Sequence, residues 1–127
     1  MKQFVLITAT IYGMLAVILG AFGAHVFKNI LNTVQLQSFE TGVRYQMYHA
    51  IVLLVIGFYF QFDTKLQNMM AWSFILGVLL FSVSIYLLSF SQSWGVNLKF
   101  LGPVTPLGGL LMIGGWVMLL MNVLKMK

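Results

Sequence analysis

The chain alternates long apolar runs with short polar breaks, and the runs carry no inner period of two. Four stretches stand out: about Phe4–Phe27, Tyr45–Phe62, Met69–Phe90 and Val104–Leu124. A helix needs about 20 apolar residues to cross a bilayer. Barrel strands would show dyad alternation, which these runs lack. The pattern therefore predicts an all-α fold, a four-helix transmembrane bundle. It forms a single integral membrane domain over 1–127, with helices at about 4–27, 38–62, 69–90 and 104–124.

The breaks refine this picture. Lys28–Gln37 is polar, and Asn32 or Thr33 is placed to cap the next helix. From Val34 onward nothing interrupts a helix until Asp63. Such a helix is roughly 43 Å long at 1.5 Å per residue, more than the ~30 Å hydrocarbon core. Its opening, LQSFETGVRYQ, is expected in the headgroup layer or against the other helices. Asp63, Thr64 and Lys65 form a tight turn, and Gly95, Asn97, Gly102 and Pro103 break the third connection. Pro106 suits the first turn of the fourth helix, where its missing N–H is harmless.

Composition changes the class more than the pattern. Only 7% of residues are charged and 61% are hydrophobic, against roughly 25% charged in soluble domains. Lipid as solvent removes the need for a charged surface. The net charge of +5 is spread singly over Lys2, Lys28, Arg44, Lys65, Lys99, Lys125 and Lys127. That spacing suits headgroup anchors and offers no basic face for nucleic acid. With both termini on one side, that side holds four of these cations and the other holds three, which favours cytoplasmic termini. The absence of cysteine excludes disulfides and thiol chemistry.

Small residues mark the expected packing seams, because helices in lipid associate by close approach. On the first helix these are Gly13, Ala16, Gly20 and Ala24, with Gly23 beside them; further along they are Ser84, Gly108 and Gly109. Bundle packing is the plain reading. More such stripes than a four-helix bundle can bury would leave one for a homo-oligomer or a partner membrane protein.

Polar chemistry gathers at one end. His25 closes the first helix, and Glu40, Arg44, Tyr45, Gln46, Tyr48 and His49 crowd the start of the second. Glu40 and Arg44, four apart, are spaced to pair on one face. Thr105 enters from the fourth helix on the same side. An ionisable residue at membrane depth is a functional candidate by default, although a hydrogen-bonded clamp would use the same residues. Ser38, Ser91 and Ser93 show no nucleophile-and-base arrangement. No metal or cofactor is expected, since two histidines without a cysteine or acidic cluster are a thin ligand set.

The segments GAFGAH at Gly20–His25, TGVRYQMYHA at Thr41–Ala50, LFSVSIYLL at Leu80–Leu88 and TPLGG at Thr105–Gly109 resemble the hallmarks of domain-of-unknown-function family 423. The resemblance covers nearly the whole chain. It implies a small four-helix protein of the bacterial inner membrane and supplies no activity. By motif it carries over Gly20, Gly23, His25, Arg44, Tyr45, Gln46, His49, Ser82, Tyr86, Thr105, Pro106 and Gly108; Glu40 stands outside the matching segments.

Three functional classes follow. The first is a non-enzymatic protein that binds membrane lipids or a partner through the one-sided polar site. The second is a small transporter or channel subunit using Arg44, His49 and Glu40. The third is a haem- or metal-binding membrane subunit using His25 and His49. The one-sidedness of the cluster favours binding over passage.

Overall fold

The computed structural model describes residues 1–126. They form four α-helices: α1 over Lys2–His25, α2 over Thr33–Tyr59, α3 over Lys65–Ser91 and α4 over Val104–Leu124. Single 3₁₀ turns at Phe27–Asn29 and Lys99–Leu101 carry the chain around the end shared by α1, α2, α3 and α4. The helices pack in chain order, α1 on α2, α2 on α3 and α3 on α4.

Local chemistry sets the ends. Asn32 caps α2 through a capping box: its side chain accepts from the Gln35 N–H at 2.8 Å, while the Asn32 N–H donates to Gln35 Oε1 at 3.1 Å. That cap starts α2 five residues before the expected position 38. Thr64 caps α3 in the same manner by accepting from the Gln67 N–H. Between α2 and α3, Phe62 adopts a left-handed conformation with φ 64°. The ring is held in the core at 6% exposure, and its carbonyl accepts from the Asn68 side chain at 3.0 Å. Burial of the ring and that bond offset the ~1–2 kcal/mol strain of the left-handed backbone.

Three of the helical segments, Lys2–His25, Lys65–Ser91 and Lys99–Leu124, are long and apolar enough to cross a membrane. α2 is 27 residues long, but Gln35, Gln37, Glu40, Arg44, Gln46 and His49 make its first two-thirds less apolar. Even so, α2 runs back along the full length of α1. Gly23 faces Phe39, Gly20 faces Val43, Gly13 faces Ala50, and Val5 and Leu6 face Gly57.

The outer surfaces are apolar. Val17, Ile18 and Phe22 on α1, Ile51, Val55 and Phe58 on α2, and Leu110, Ile113 and Leu120 on α4 are all exposed. A water-soluble monomer does not display an apolar surface of this extent; hydrocarbon is its natural solvent. The core, built on Val5, Ala9, Leu53, Met70, Phe74 and Ile75, lies toward the end that holds the N-terminus.

The small-residue seams serve packing within the chain. On α1 the buried line is Ala9, Ala16 and Gly23, with Gly13 and Gly20 alongside, each against α2. Ala24, expected in this seam, is exposed: one residue past Gly23, it is turned about 100° away from α2. Between α3 and α4 the closest approach is at Gly77 and Gly108, and Gly115 receives the Phe74 ring. Gly109 only borders the Phe81 ring, at 3.8 Å from where a Cβ would lie.

At Gly20 a Cβ would already stand 3.5 Å from Val43 Cγ1. Gly20→Leu is therefore expected to cost about 1–3 kcal/mol by overpacking, read as a lowered thermal midpoint in detergent. An unchanged midpoint would remove Gly20 from the α1–α2 seam.

Candidate functional site

The polar residues divide into an interior set and an outer set, a division the sequence does not show. The interior set bonds within itself. Gln46, 5% exposed, sits where α1, α2 and α3 meet. Its Nε2 donates to the Tyr12 carbonyl at 2.9 Å, and its Oε1 accepts from the Tyr86 hydroxyl at 2.7 Å. A carbonyl only accepts, so the amide orientation is fixed by its partners. The Tyr12 hydroxyl donates to the Ile75 carbonyl at 2.9 Å, and Ser82 Oγ donates to the Gly42 carbonyl at 2.8 Å. Ser84 and Thr105 pair through their hydroxyls at 2.6 Å, joining α3 to α4.

His49 belongs to the same set. Its Nδ1 lies 2.8 Å from the Tyr45 carbonyl and its Nε2 accepts from the Trp116 indole N–H at 3.2 Å. The carbonyl requires a proton on Nδ1, and the indole requires a lone pair on Nε2. These two partners select one neutral tautomer. Phe74 packs beside the ring at a centroid distance of 5.7 Å.

The outer set lies along α2. Glu40, Arg44 and Tyr48, spaced by four, share an exposed face that continues into Ile51, Val55 and Phe58. Tyr45 borders it, half-exposed and 5.1 Å between ring centroids from Phe81. Glu40 and Arg44 do not form the ion pair their spacing suggests. The Arg44 guanidinium instead donates to the Thr41 hydroxyl at 3.3 Å, and Glu40 is exposed. An exposed pair one turn apart gains only ~0.3–0.5 kcal/mol, too little to fix two long side chains.

The eight candidate residues thus do not form one site. Glu40, Arg44, Tyr45 and Tyr48 lie together on the outside, while Gln46, His49 and Thr105 link helices inside. His25 stands apart, exposed at the end of α1 beside a shallow apolar recess with Ala21, Phe22 and Val26. Since Gly13 is level with Ala50, His49 is level with position 14, and His25 lies about 17 Å along the bundle from it at 1.5 Å per residue. The gathering of polar residues at one end holds for Glu40, next to Phe39, which packs on Gly23 near the end of α1, but not for His49. Ligands of one metal ion lie within about 4 Å of each other, so the two histidines cannot share one ion or haem in this arrangement.

Two participants are not singled out by the sequence pattern. Tyr12 and Trp116 sit inside apolar runs and pass there for filler. The signal lies in their chemistry: a hydroxyl or indole N–H within a spanning helix needs a partner.

A small bundle of long, lipid-facing helices, pinned inside by a polar network and bearing Glu40 and Arg44 on the outer face of α2, defines a membrane protein of the helical-bundle class. The family model described as "Protein of unknown function (DUF423)" matches residues 19–109, and the chain belongs to that family. Similar relatives include the UPF0382 membrane protein YwdK of Bacillus subtilis, 39% identical over 98% of both chains. A UPF0382 membrane protein of Staphylococcus epidermidis is 38% identical over 98% of both. The UPF0382 inner membrane protein YgdD of Escherichia coli is 34% identical over 99% of this chain and 93% of its own. No solved structure matches the chain.

Proposed function

We propose that this protein is a non-enzymatic binding or accessory protein of the bacterial inner membrane, and that it engages a membrane lipid or a partner membrane protein through the outer face of α2. One observation carries the reading. Arg44 is exposed and without an ion pair at the level of Gly20 in α1, inside the end of the bundle. A cation at that depth calls for an anionic partner, such as a lipid phosphate or an acid on another helix. Tyr45 and Tyr48 flank it with aromatic surface of the kind enriched at the membrane–water boundary. Transport ranks second, because the interior polar side chains are committed to one another and line no path. Four crossings are part of the proposal, since α2 retraces α1; termini on the cytoplasmic side follow from the balance of lysines.

Native mass spectrometry after mild detergent extraction tests it. Wild-type protein is expected to retain a specific lipid or a co-purifying membrane protein, and Arg44→Ala is expected to lose it. The thermal midpoint should move by less than about 0.5 kcal/mol in stability, as for exposed surface substitutions. A bare monomer from the wild type, or the same adduct on both proteins, would sink the reading.

A further inference from the structure

We propose a second site at the opposite end of the bundle: a cleft between α2 and α4 that takes one acyl chain of a phosphatidylglycerol molecule and holds its headgroup at Gln67 and Lys125. The cleft has a volume of about 370 Å³ and its walls include Ile51, Val55, Tyr59, Phe60, Trp116 and Val123. It runs along α4 from Trp116 to Val123, about 10 Å at 1.5 Å per residue, and on past the helix end to Met126. That is most of one leaflet of a hydrocarbon core ~30 Å thick. At its outer end the cleft meets a second pocket of about 290 Å³, sharing Phe60 and Met126 with it and adding Thr64, Gln67, Asn122 and Lys125. Apolar length and polar head follow one another in the order a phospholipid requires.

The head of the site is unsatisfied where the rest of the molecule is not. Among the described residues, Gln67 Oε1 is the one buried side-chain polar atom without a hydrogen-bond partner. Buried polar groups are otherwise paired as a rule, and the Gln67 side chain, part-exposed and in the wall of this pocket, brings its amide to a ligand atom by a turn about its own bonds. The neighbouring amide of Asn122 is already used, donating to the Met118 carbonyl at 2.9 Å and to Met70 Sδ at 3.7 Å. Gln67 Oε1 accepts, so it calls for a hydroxyl or ammonium donor. Turned end for end, the same amide would donate to a phosphate oxygen, so either orientation wants a polar ligand atom at the same point. Lys125 is exposed at the rim and supplies the charge for the phosphate.

Charge selects among headgroups. Lys2, Lys65 and Lys125 gather at this end against Asp63 alone. Lys2 is partly used, donating to the Phe58 carbonyl at 3.2 Å. An excess of cations favours a headgroup of net negative charge. Phosphatidylglycerol combines that charge with hydroxyl donors for Gln67, whereas phosphatidylethanolamine supplies a donor but no net charge. The site borders the outer face of α2 at Ile51 and Val55 but shares none of its polar residues, so Arg44→Ala and Lys125→Gln test the two proposals separately.

Trp116 in the cleft wall is a built-in reporter. In full-length protein carrying Trp72→Phe and Trp94→Phe, Trp116 is the sole tryptophan. Its quenching is measured in phosphatidylcholine vesicles containing brominated-chain phosphatidylglycerol, phosphatidylethanolamine or phosphatidylcholine at equal mole fraction. Brominated phosphatidylglycerol is expected to compete about five-fold better than phosphatidylcholine, the preference that one lysine at an anionic headgroup supports. Lys125→Gln and Gln67→Leu should each abolish most of that preference, and Arg44→Ala should leave it intact. Lys125→Gln changes an exposed side chain, so the test survives even if Gln67→Leu misfolds. Equal quenching by all three lipids, a preference for phosphatidylethanolamine, or an undiminished preference in Lys125→Gln would overturn the proposal. Loss of the preference in Arg44→Ala would overturn its placement.

Discussion

Gly108→Ala is expected to destabilise the bundle by at least about 3 kcal/mol, the top of the usual range for overpacking, and Gly108→Leu to abolish folded protein. The reason lies in what a Cβ would meet. At Gly108 it would collide with the backbone nitrogen of Phe81 and stand 2.8 Å from the Gly77 carbonyl oxygen. A side chain in the way can turn aside, but a helix backbone cannot, so α3 and α4 would have to part. Parting them also breaks the Ser84–Thr105 pair one turn away. Gly114, on the same helix, has nothing within 4 Å of where a Cβ would lie. Gly114→Ala is therefore expected to stay within about 1 kcal/mol of wild type, on the favourable side given alanine's higher helix propensity. Thermal unfolding of both variants in one detergent makes the comparison, and equal midpoints would refute the backbone-contact account of Gly108.

These two glycines show what the sequence can and cannot say. Both lie in apolar runs with small-residue spacing, and the runs themselves are legible because crossing hydrocarbon demands length and apolarity, properties of composition alone. The helix starts are less legible: Asn32 and Thr64 cap locally, within four residues of themselves, and so begin α2 and α3 at 33 and 65, ahead of the apolar runs that suggest 38 and 69. Which small residue meets a neighbour depends on helix rotation. A shift of one position, about 100°, puts Gly23 in the α1–α2 seam and Ala24 outside it.

The same limit explains the candidate site. Clustering along the chain at residues 40–49 is plain, but a helix sends such a cluster to every side. Gln46 and His49 go inward and Glu40, Arg44 and Tyr48 outward. The expected Glu40–Arg44 pairing rests on a spacing that permits contact without enforcing it. Tyr12 and Trp116, remote in sequence from residues 40–49, become the partners of Gln46 and His49 because the up-and-down course of the helices, α1 antiparallel and α4 parallel to α2, brings them level. The end around Gln67 and Lys125, which looks bare of polar capacity in the sequence, holds the one buried acceptor left open among the described residues.

Removing the amide at the centre of the interior network tests whether that network holds the bundle. Gln46→Leu retains most of the volume but removes the acceptor of the half-buried Tyr86 hydroxyl. It is expected to cost about 1–3 kcal/mol, the penalty for an unsatisfied buried polar group. The Tyr12 carbonyl suffers less, because it lies within α1 and can still accept from its own helix. Adding Tyr86→Phe removes the stranded hydroxyl, so the double variant should be more stable than Gln46→Leu alone. The coupling between the two sites is expected near ~0.6 kcal/mol and no more than about 1.7, the range for hydrogen bonds between membrane helices. Gly42→Ala reaches the network by another route. Its Cβ would lie 2.7 Å from the Tyr86 ring, which crosses α2 there to reach Gln46 one turn on, so the methyl would push the hydroxyl away from the amide. If Gln46→Leu, Gly42→Ala and the double variant all unfold at the wild-type midpoint, the network does not stabilise the fold. Gln46 and Tyr86 would then be available for a role other than packing, and the transport reading would gain the interior polar path it otherwise lacks.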